Sequence, residues 1–182
     1  MTCRLLPLLL ALGLAACGER ATTPTAASTP SKPSTPASAK PAAATPPDRE
    51  HPQLQIELVD GARYDLTQHR GKWVVVNFWA TWCGPCLKEM PELSTLAQRG
   101  DVDVIGLAYE DITKADMQAF LKTHTPSYPI AILDTFNPPR DFDAPQGLPM
   151  TVVVAPDGHV AKKFLGPVTL AAIDEVVKGS KG

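Results

Sequence analysis

The chain has 182 residues, of which 44% are hydrophobic and 20% are charged, and its formal net charge is −2 at pH 7. This near-neutral balance, with no basic stripe and no acidic tail, excludes the composition typical of nucleic-acid-binding proteins. The length suits one small domain preceded by a terminal segment.

The N-terminal 17 residues have the layout of a bacterial export signal. Arg4 precedes an apolar block at 5–14, which is shorter than the roughly 20 residues that a membrane-spanning helix needs. The block is followed by Ala15-Ala16-Cys17, and the sequence Leu14-Ala15-Ala16-Cys17 resembles the lipobox of bacterial lipoproteins. That resemblance implies a signal peptide at 1–16, diacylation of Cys17, and an N-terminus anchored in the inner or outer membrane facing the periplasm. The alternatives are an ordinary signal peptide cut nearby and an uncleaved helix.

Residues 17–50 consist mainly of Ala, Thr, Pro and Ser. Such a composition cannot bury enough apolar surface to offset the loss of backbone entropy, so this segment is predicted to be a disordered linker. Its prolines favour extended polyproline conformations, which lengthen its reach. We therefore expect a lipid-anchored tether that holds a folded domain, residues 51–182, away from the membrane surface.

From residue 51 onward the hydrophobic pattern alternates between strands and helices. Predicted strands cover 53–59, 62–66, 73–79, 102–108, 129–133, 150–155 and 160–165. Predicted helices cover 89–98, as the continuation of a helix that opens further upstream, then 113–124, and 169–178 with Gly179 as its stop. The turn sequences at 60–61 and 156–159 predict two hairpins. This order predicts a central mixed sheet flanked by helices.

The most informative motif is Trp82-Cys83-Gly84-Pro85-Cys86, which follows the buried strand 73–79. Cys83 falls at the start of a helix, where unpaired N–H groups and the helix dipole favour the thiolate over the thiol. Gly84 allows a partner chain to approach closely, and Pro85 is tolerated in a first helical turn. The pattern therefore indicates a redox dithiol with an exposed nucleophile at Cys83.

The remaining cysteines narrow this interpretation. Cys3 lies in the predicted signal and Cys17 is the predicted lipidation site, so Cys83 and Cys86 are the only free thiols expected in the mature chain. This count excludes a structural disulfide framework. A zinc site would need two further ligands, and the histidines show no paired spacing. They are His51, His69, His124 and His159. Neither a metal nor a cofactor is predicted.

Together with 77–81 and 147–151, the dithiol motif resembles exported thioredoxin-like proteins of the TlpA/ResA type over residues 53–178. The resemblance implies an α/β thioredoxin-like fold, with a central mixed β-sheet flanked by helices and an N-terminal β-hairpin. It also implies that Pro149 is cis and lies beside the dithiol, and that the backbone of Leu148 pairs with an incoming substrate strand. Trp82 is expected to shield the nucleophile and to help substrate docking.

Asn77 occupies the position at which thioredoxins carry a buried aspartate that accepts a proton from the deeper thiol. An amide cannot accept that proton. The resemblance implies that a carboxylate at the end of the next strand does so, and Glu110 is the predicted acceptor for Cys86. Asp111 is the rival, and capping of the following helix is the alternative role for both carboxylates.

The predicted mechanism is dithiol-disulfide exchange, in which Cys83 attacks a substrate disulfide and Cys86 resolves the mixed disulfide. The Gly84-Pro85 pair resembles that of thioredoxin and favours reduction. The expected partners are disulfide-containing exported proteins, a membrane thiol donor of the DsbD/CcdA-like class as reductant, and the membrane through the lipid anchor. A monomer without a nucleic-acid partner is expected.

Three alternatives stay open. A cytochrome c maturation thioredoxin of the CcmG kind would reduce the Cys pairs of apocytochromes, but that group usually carries an acidic residue where this chain has Met150. A thiol peroxidase would need a lone Cys in a Thr-x-x-Cys setting, which this sequence lacks. A Sco-type copper-binding protein would have a wider spacing between its cysteines.

The anchor can be tested directly. Because Cys17→Ser removes the thiol that would be acylated, we expect the variant to lose lipid labelling and to move into the soluble periplasmic fraction. Metabolic labelling with a fatty-acid analogue and membrane fractionation measure the two effects. Cys3→Ser, a change in the segment expected to be cleaved, is the control and should stay labelled. Unchanged fractionation of Cys17→Ser would contradict the lipoprotein assignment.

Overall fold

The computed structural model describes residues 46–179. The predicted signal peptide, Cys17 and most of the predicted linker lie outside these residues. The strands are β1 Gln55–Glu57, β2 Arg63–Asp65, β3 Trp73–Trp79, β4 Val102–Ala108, β5 Ile130–Ile132, β6 Met150–Val154 and β7 Val160–Leu165. The helices are α1 Gly84–Gln98, α2 Lys114–Leu121 and α3 Leu170–Gly179, and a 3₁₀-helix covers Leu66–His69. Within 46–179 no helix is both long and apolar enough to cross a membrane.

β3 forms the centre of a five-stranded sheet with the order β5-β4-β3-β6-β7. It pairs in parallel with β4 and antiparallel with β6, so its backbone is hydrogen-bonded along both edges. All seven of its residues are buried, as expected for a continuous apolar run that is covered on both faces of the sheet. β3 and β4 coincide residue for residue with the predicted strands 73–79 and 102–108.

The two faces of the sheet carry different layers because side chains alternate along each strand. On one face, Val75 and Val153 pack with residues of all three helices in one apolar cluster. On the other face, Val76 and Val152 pack with residues of the N-terminal hairpin and with Phe142. The predicted fold class, a mixed sheet flanked by helices with an N-terminal hairpin, is confirmed.

Both predicted hairpins are present, one formed by β1 and β2 and the other by β6 and β7. Their turns place Gly61 and Gly158 at φ values of 94° and 95°, in the left-handed region that glycine adopts without steric cost. The first hairpin is shorter than predicted, because the Val59 N–H donates to the Ile130 carbonyl at 2.8 Å instead of pairing with β2. Leu66, expected at the end of a strand, begins the 3₁₀-helix.

Two helices differ from their predicted bounds. Thr113 is the N-cap of α2, since its side chain accepts the Asp116 N–H. α2 ends at Leu121 instead of residue 124, because the chain tightens there and the Thr123 N–H bonds the carbonyl only three residues back, at 3.1 Å. Gly179, predicted to stop α3, is its last helical residue.

Gly106 lies within β4, close to the indole of Trp79 on the neighbouring strand. A Cβ at position 106 would lie 2.6 Å from Ile130 Cδ1, 3.0 Å from Trp79 Nε1 and 3.1 Å from Tyr128 Cε2. A side chain at this point would therefore collide with its neighbours, whereas glycine leaves room for them. The space allows Trp79, at the end of β3, to be buried next to the segment that leads to the dithiol.

Candidate active site

Cys83 and Cys86 lie where β3 gives way to α1. The chain turns after β3, with the Cys83 N–H donating to the Ala80 carbonyl at 3.1 Å, and α1 begins at Gly84. Cys83 is the N-cap of α1, and its Sγ accepts the Cys86 N–H at 3.3 Å. The two sulfurs form a disulfide. Cys83 therefore lies at the start of α1, and its sulfur accepts a hydrogen bond from a backbone N–H of that helix.

The exposure of Cys83 differs from the prediction. The sequence pattern suggests an exposed nucleophile, but Cys83 is only 4% exposed and Cys86 only 1%. The prediction is wrong for the disulfide form, because the bond holds the Cys83 sulfur against Cys86 within the apolar cluster on the helix side of the sheet. Solvent instead meets Trp82, which is 70% exposed, together with Gly84 and Pro85.

The peptide bond between Leu148 and Pro149 is cis, as the resemblance implies. Pro149 immediately precedes β6, whose first residue, Met150, is paired with Phe78 near the end of β3. The cis bond therefore lies at the same end of the sheet as the dithiol. Leu148 is half-buried and packs against the apolar cluster that contains both cysteines. The Pro149 carbonyl accepts the Gly166 N–H at 2.8 Å.

Glu110 follows β4 and reaches the segment before the dithiol from the neighbouring strand. Its carboxylate accepts the Thr81 N–H at 2.7 Å and the Thr81 hydroxyl at 2.9 Å. Since Thr81 lies two residues before Cys83, Glu110 fixes the turn that leads to this cysteine. Asp111 is exposed. Because Thr113 is the N-cap of α2, helix capping is not the role of either carboxylate.

Glu89 is a site residue that sequence reasoning missed. Its side chain is only 4% exposed, and it lies three residues after Cys86 on α1. Residues at this spacing share one face of a helix, with Cβ atoms roughly 5–6 Å apart. The Glu89 oxygens accept the Asn77 side-chain N–H at 2.8 Å and the Val168 backbone N–H at 2.9 Å. Burial raises the pKa of Glu89 above its ordinary value, against the effect of these two donors.

Asn77 links this carboxyl to the sheet. Its amide also donates to Thr151 Oγ1 at 3.0 Å, and the two residues are paired across β3 and β6. The amide that stands where thioredoxins carry an aspartate thus orients a carboxyl that is supplied by α1. The signal in the sequence is the spacing of three from Cys86 to Glu89, combined with an amide at an inward position of β3.

Comparison with known proteins agrees with this geometry. The family model described as Redoxin matches residues 41–177. The chain belongs to the Redoxin family. Over 127 residues, the redoxin is 30% identical to thiol-disulfide oxidoreductase ResA of Bacillus subtilis (strain 168), and the match covers 68% of the redoxin and 70% of the relative. Over 132 residues, it is 26% identical to thioredoxin-like protein YneN of the same organism, with coverages of 70% and 76%.

A solved structure gives the same fold. The thiol:disulfide interchange protein, a thioredoxin family protein from Chlorobium tepidum TLS, superposes on the redoxin with a TM-score of 0.61 at 27% identity, and the match covers 78% of the redoxin and 100% of that chain. The redoxin is therefore a thioredoxin-fold thiol-disulfide oxidoreductase. The resemblance to the TlpA/ResA type is confirmed.

The position of Cys83 predicts its reactivity. In the reduced redoxin, we expect its thiolate to be stabilised by the Cys86 N–H and the helix dipole. Iodoacetamide should therefore modify Cys83 before Cys86, with a pH midpoint well below the value of about 8.5 for a free cysteine. Peptide mass spectrometry across a pH series measures this, with Cys86→Ala and Cys83→Ala isolating each thiol. If Cys86 is modified first, the two roles are reversed.

Proposed function

We propose that this redoxin works outside the cytoplasm as a membrane-anchored reductase of disulfides in exported proteins. The observation that carries the proposal is the Cys86 N–H directed at the Cys83 sulfur at the start of α1. Such an arrangement favours the thiolate, which is the attacking species in disulfide exchange. The Gly84-Pro85 pair, which resembles that of thioredoxin, supports the reducing direction.

In the proposed reaction, the Cys83 thiolate attacks one sulfur of a substrate disulfide, which forms a mixed disulfide and releases the first substrate thiolate. Cys86 then loses its proton and attacks the Cys83 sulfur. The mixed disulfide breaks, the Cys83–Cys86 disulfide forms, and the second substrate thiolate leaves. Two electrons pass to the substrate in each turnover. The proposal therefore includes a membrane thiol donor of the DsbD/CcdA-like class that reduces the redoxin again.

The substrate is proposed to approach along the exposed rim of Trp82, Gly84 and Pro85 and to pair with the backbone of Leu148 beside Pro149. One feature of Leu148 supports this role. Within residues 46–179, neither its N–H nor its carbonyl takes part in a backbone hydrogen bond. An extended substrate segment can therefore bond to these groups without displacing an internal partner.

Resolution by Cys86 needs a proton acceptor, and two carboxylates are candidates. Glu110, the acceptor predicted from the sequence, is engaged by both donors of Thr81. Glu89 lies on the same helix face as Cys86, and its raised pKa brings it closer to the pH range in which thiols lose their protons. We propose Glu89 as the acceptor and keep Glu110 as the alternative.

A role in cytochrome c maturation is the second functional hypothesis that the sequence leaves open. That group usually carries an acid after the cis-proline, but here Met150 is buried within β6 and paired with Leu165. Reduction of disulfides in exported proteins therefore remains the proposed function, and reduction of apocytochrome Cys pairs is kept as the alternative.

The anchoring part of the proposal rests on the lipobox-like sequence that ends at Cys17. The Redoxin match begins only at residue 41. The intervening segment, rich in Ala, Thr, Pro and Ser, has the composition of a tether between anchor and domain.

Substrate trapping tests the proposed function. In Cys86→Ala the mixed disulfide cannot be resolved, so exported proteins should accumulate as covalent adducts on Cys83, and mass spectrometry of the purified adducts identifies them. Cys83→Ala is the matched control and should trap nothing. Purified wild-type protein should also accelerate the reduction of insulin. Absence of that acceleration, or equal trapping by the control, would contradict a reductase that acts through Cys83.

The proton acceptor is tested with isosteric variants. Glu89→Gln keeps the shape of the side chain but removes the acceptor, so we expect the resolving step to slow on the order of 10²-fold. In the wild type, the rate at which Cys86 resolves the mixed disulfide should rise as pH increases through the raised Glu89 pKa, because more of Glu89 is then a carboxylate. In the variant this rise in rate should be missing. Rapid-mixing measurements of mixed-disulfide decay from pH 4 to 9 check both effects.

Glu110→Gln and Asp111→Asn are the matched comparisons, since each also exchanges one carboxylate for an amide. Wild-type decay of the mixed disulfide in Glu89→Gln, with slow decay in Glu110→Gln, would assign the proton to Glu110 as the sequence predicts. Slow decay in Asp111→Asn alone would assign it to Asp111.

A further inference from the structure

The loop between β5 and β6, residues 134–147, leads directly into Leu148 and Pro149. Only one of its side chains is buried, that of Phe142, whose ring meets Phe78 edge-on with the centroids 5.8 Å apart. The backbone hydrogen bonds of the loop are internal turns, such as Asn137 N–H to the Asp134 carbonyl at 3.1 Å. Its backbone therefore does not join the sheet.

Asp141 provides the first polar link from this loop to the rest of the domain. Its two oxygens accept the Asp48 N–H at 3.2 Å and the Gln53 N–H at 2.9 Å. Both donors belong to residues 48–53, which we call the entry segment because it is the first part of the described chain to contact the domain. One carboxylate thus holds both ends of the entry segment.

Asp143 provides the second link. Its carboxylate accepts the Lys163 ammonium N–H from β7 at 2.6 Å and forms an ion pair with Arg49 of the entry segment at 3.0 Å. The entry segment is itself fastened to β7, because the Glu50 carbonyl accepts the Val160 N–H at 2.7 Å. Loop, entry segment and edge strand therefore form one connected group.

These two carboxylates account for every hydrogen bond and ion pair between residues 134–148 and the rest of the chain from 46 to 179. Without them, the loop would be attached only by the packing of its apolar side chains, chiefly Phe142, and by its ends. Leu148 lies five residues after Asp143, so the position of its backbone depends on how firmly the loop is held.

We propose that Asp141 and Asp143 are positioning residues for substrate binding. They fasten the loop to the entry segment and to β7, and so hold the backbone of Leu148 where an incoming strand pairs with it. The inference rests on the proposed function, in which Leu148 pairs with the substrate. A loop ordered before binding loses less conformational entropy when the substrate strand adds to it, so the carboxylates act on affinity and not on sulfur chemistry.

The proposal is tested in the full chain with Asp141→Asn. An amide offers one acceptor oxygen and turns an NH₂ group toward the second backbone N–H, so one of the two links is lost. We expect KM for a disulfide-linked peptide to rise about fivefold, because the loop is less ordered before binding, while kcat is unchanged. Turnover of hydroxyethyl disulfide, which has no peptide backbone to pair, and the pH profile of Cys83 alkylation should also be unchanged.

Asp174→Asn is the matched control. Asp174 accepts the Arg99 guanidinium at 2.7 Å and the Lys178 ammonium at 3.1 Å, so this change also removes a carboxylate that has two donors. It lies on α3, next to the last turn of α1 and at the opposite end of that helix from the dithiol. Its KM for the peptide should equal the wild-type value.

An unchanged peptide KM in Asp141→Asn, or an equal rise in Asp174→Asn, would overturn the proposal.

If Asp141→Asn does not fold, Arg49→Ala and Arg49→Lys decide instead. The alanine variant should raise the peptide KM and the lysine variant should restore it, whereas a wild-type KM in Arg49→Ala would overturn the proposal. Failure of the wild-type protein to reduce hydroxyethyl disulfide is a separate result, which would contradict the reductase function itself and this inference with it.

Discussion

The whole site depends on the complete burial of β3 and its pairing on both sides. Because β4 and β6 bond to its two edges, no residue of β3 can shift without breaking a ladder. Three features of the site follow from its last residues. Asn77 faces the helix layer, Phe78 sets the register of Met150 and therefore of the cis-proline loop, and the chain after Trp79 turns into α1 with Cys83 as its cap.

The carboxyl group of Glu89 lies buried beneath the end of β3, and its removal from water is unfavourable in free energy. An unpaired polar group in the core would be strongly unfavourable, but each oxygen of Glu89 has a donor, one from Asn77 and one from the Val168 backbone. Desolvation favours the neutral acid, the donors favour the carboxylate, and desolvation is the larger effect on the pKa. Burial and the two donors therefore act in opposite directions on the same proton equilibrium of Glu89.

The sequence predicts those features of the structure that depend on residues close together in the chain, and it misses those that depend on contacts between distant residues. β3 and β4 were predicted residue for residue, since a continuous apolar run of seven residues records burial on both faces. The dithiol followed from its own motif, whereas the cis form of Pro149 followed only from the resemblance to the TlpA/ResA type. Glu89 was missed because a glutamate inside a helix is typical of a solvent-facing position. Its spacing of three from Cys86 was the only local signal, and contacts with distant residues such as Val168 were needed to show its burial. The predicted exposure of Cys83 was wrong, because a sequence pattern does not indicate where a disulfide bond will hold the sulfur atom.

The glycine in β4 has a consequence for how the molecule tolerates change over evolutionary time. Even one methyl group at Gly106 would press on Ile130 and on two rings, those of Trp79 and Tyr128. The rings cannot bend away as a long flexible side chain could, so the disturbance would pass to the end of β3, which carries the dithiol. The hydrogen atom that serves as the side chain of Gly106 therefore restricts which substitutions the lineage can explore, and position 106 is best left unchanged when the active site is redesigned.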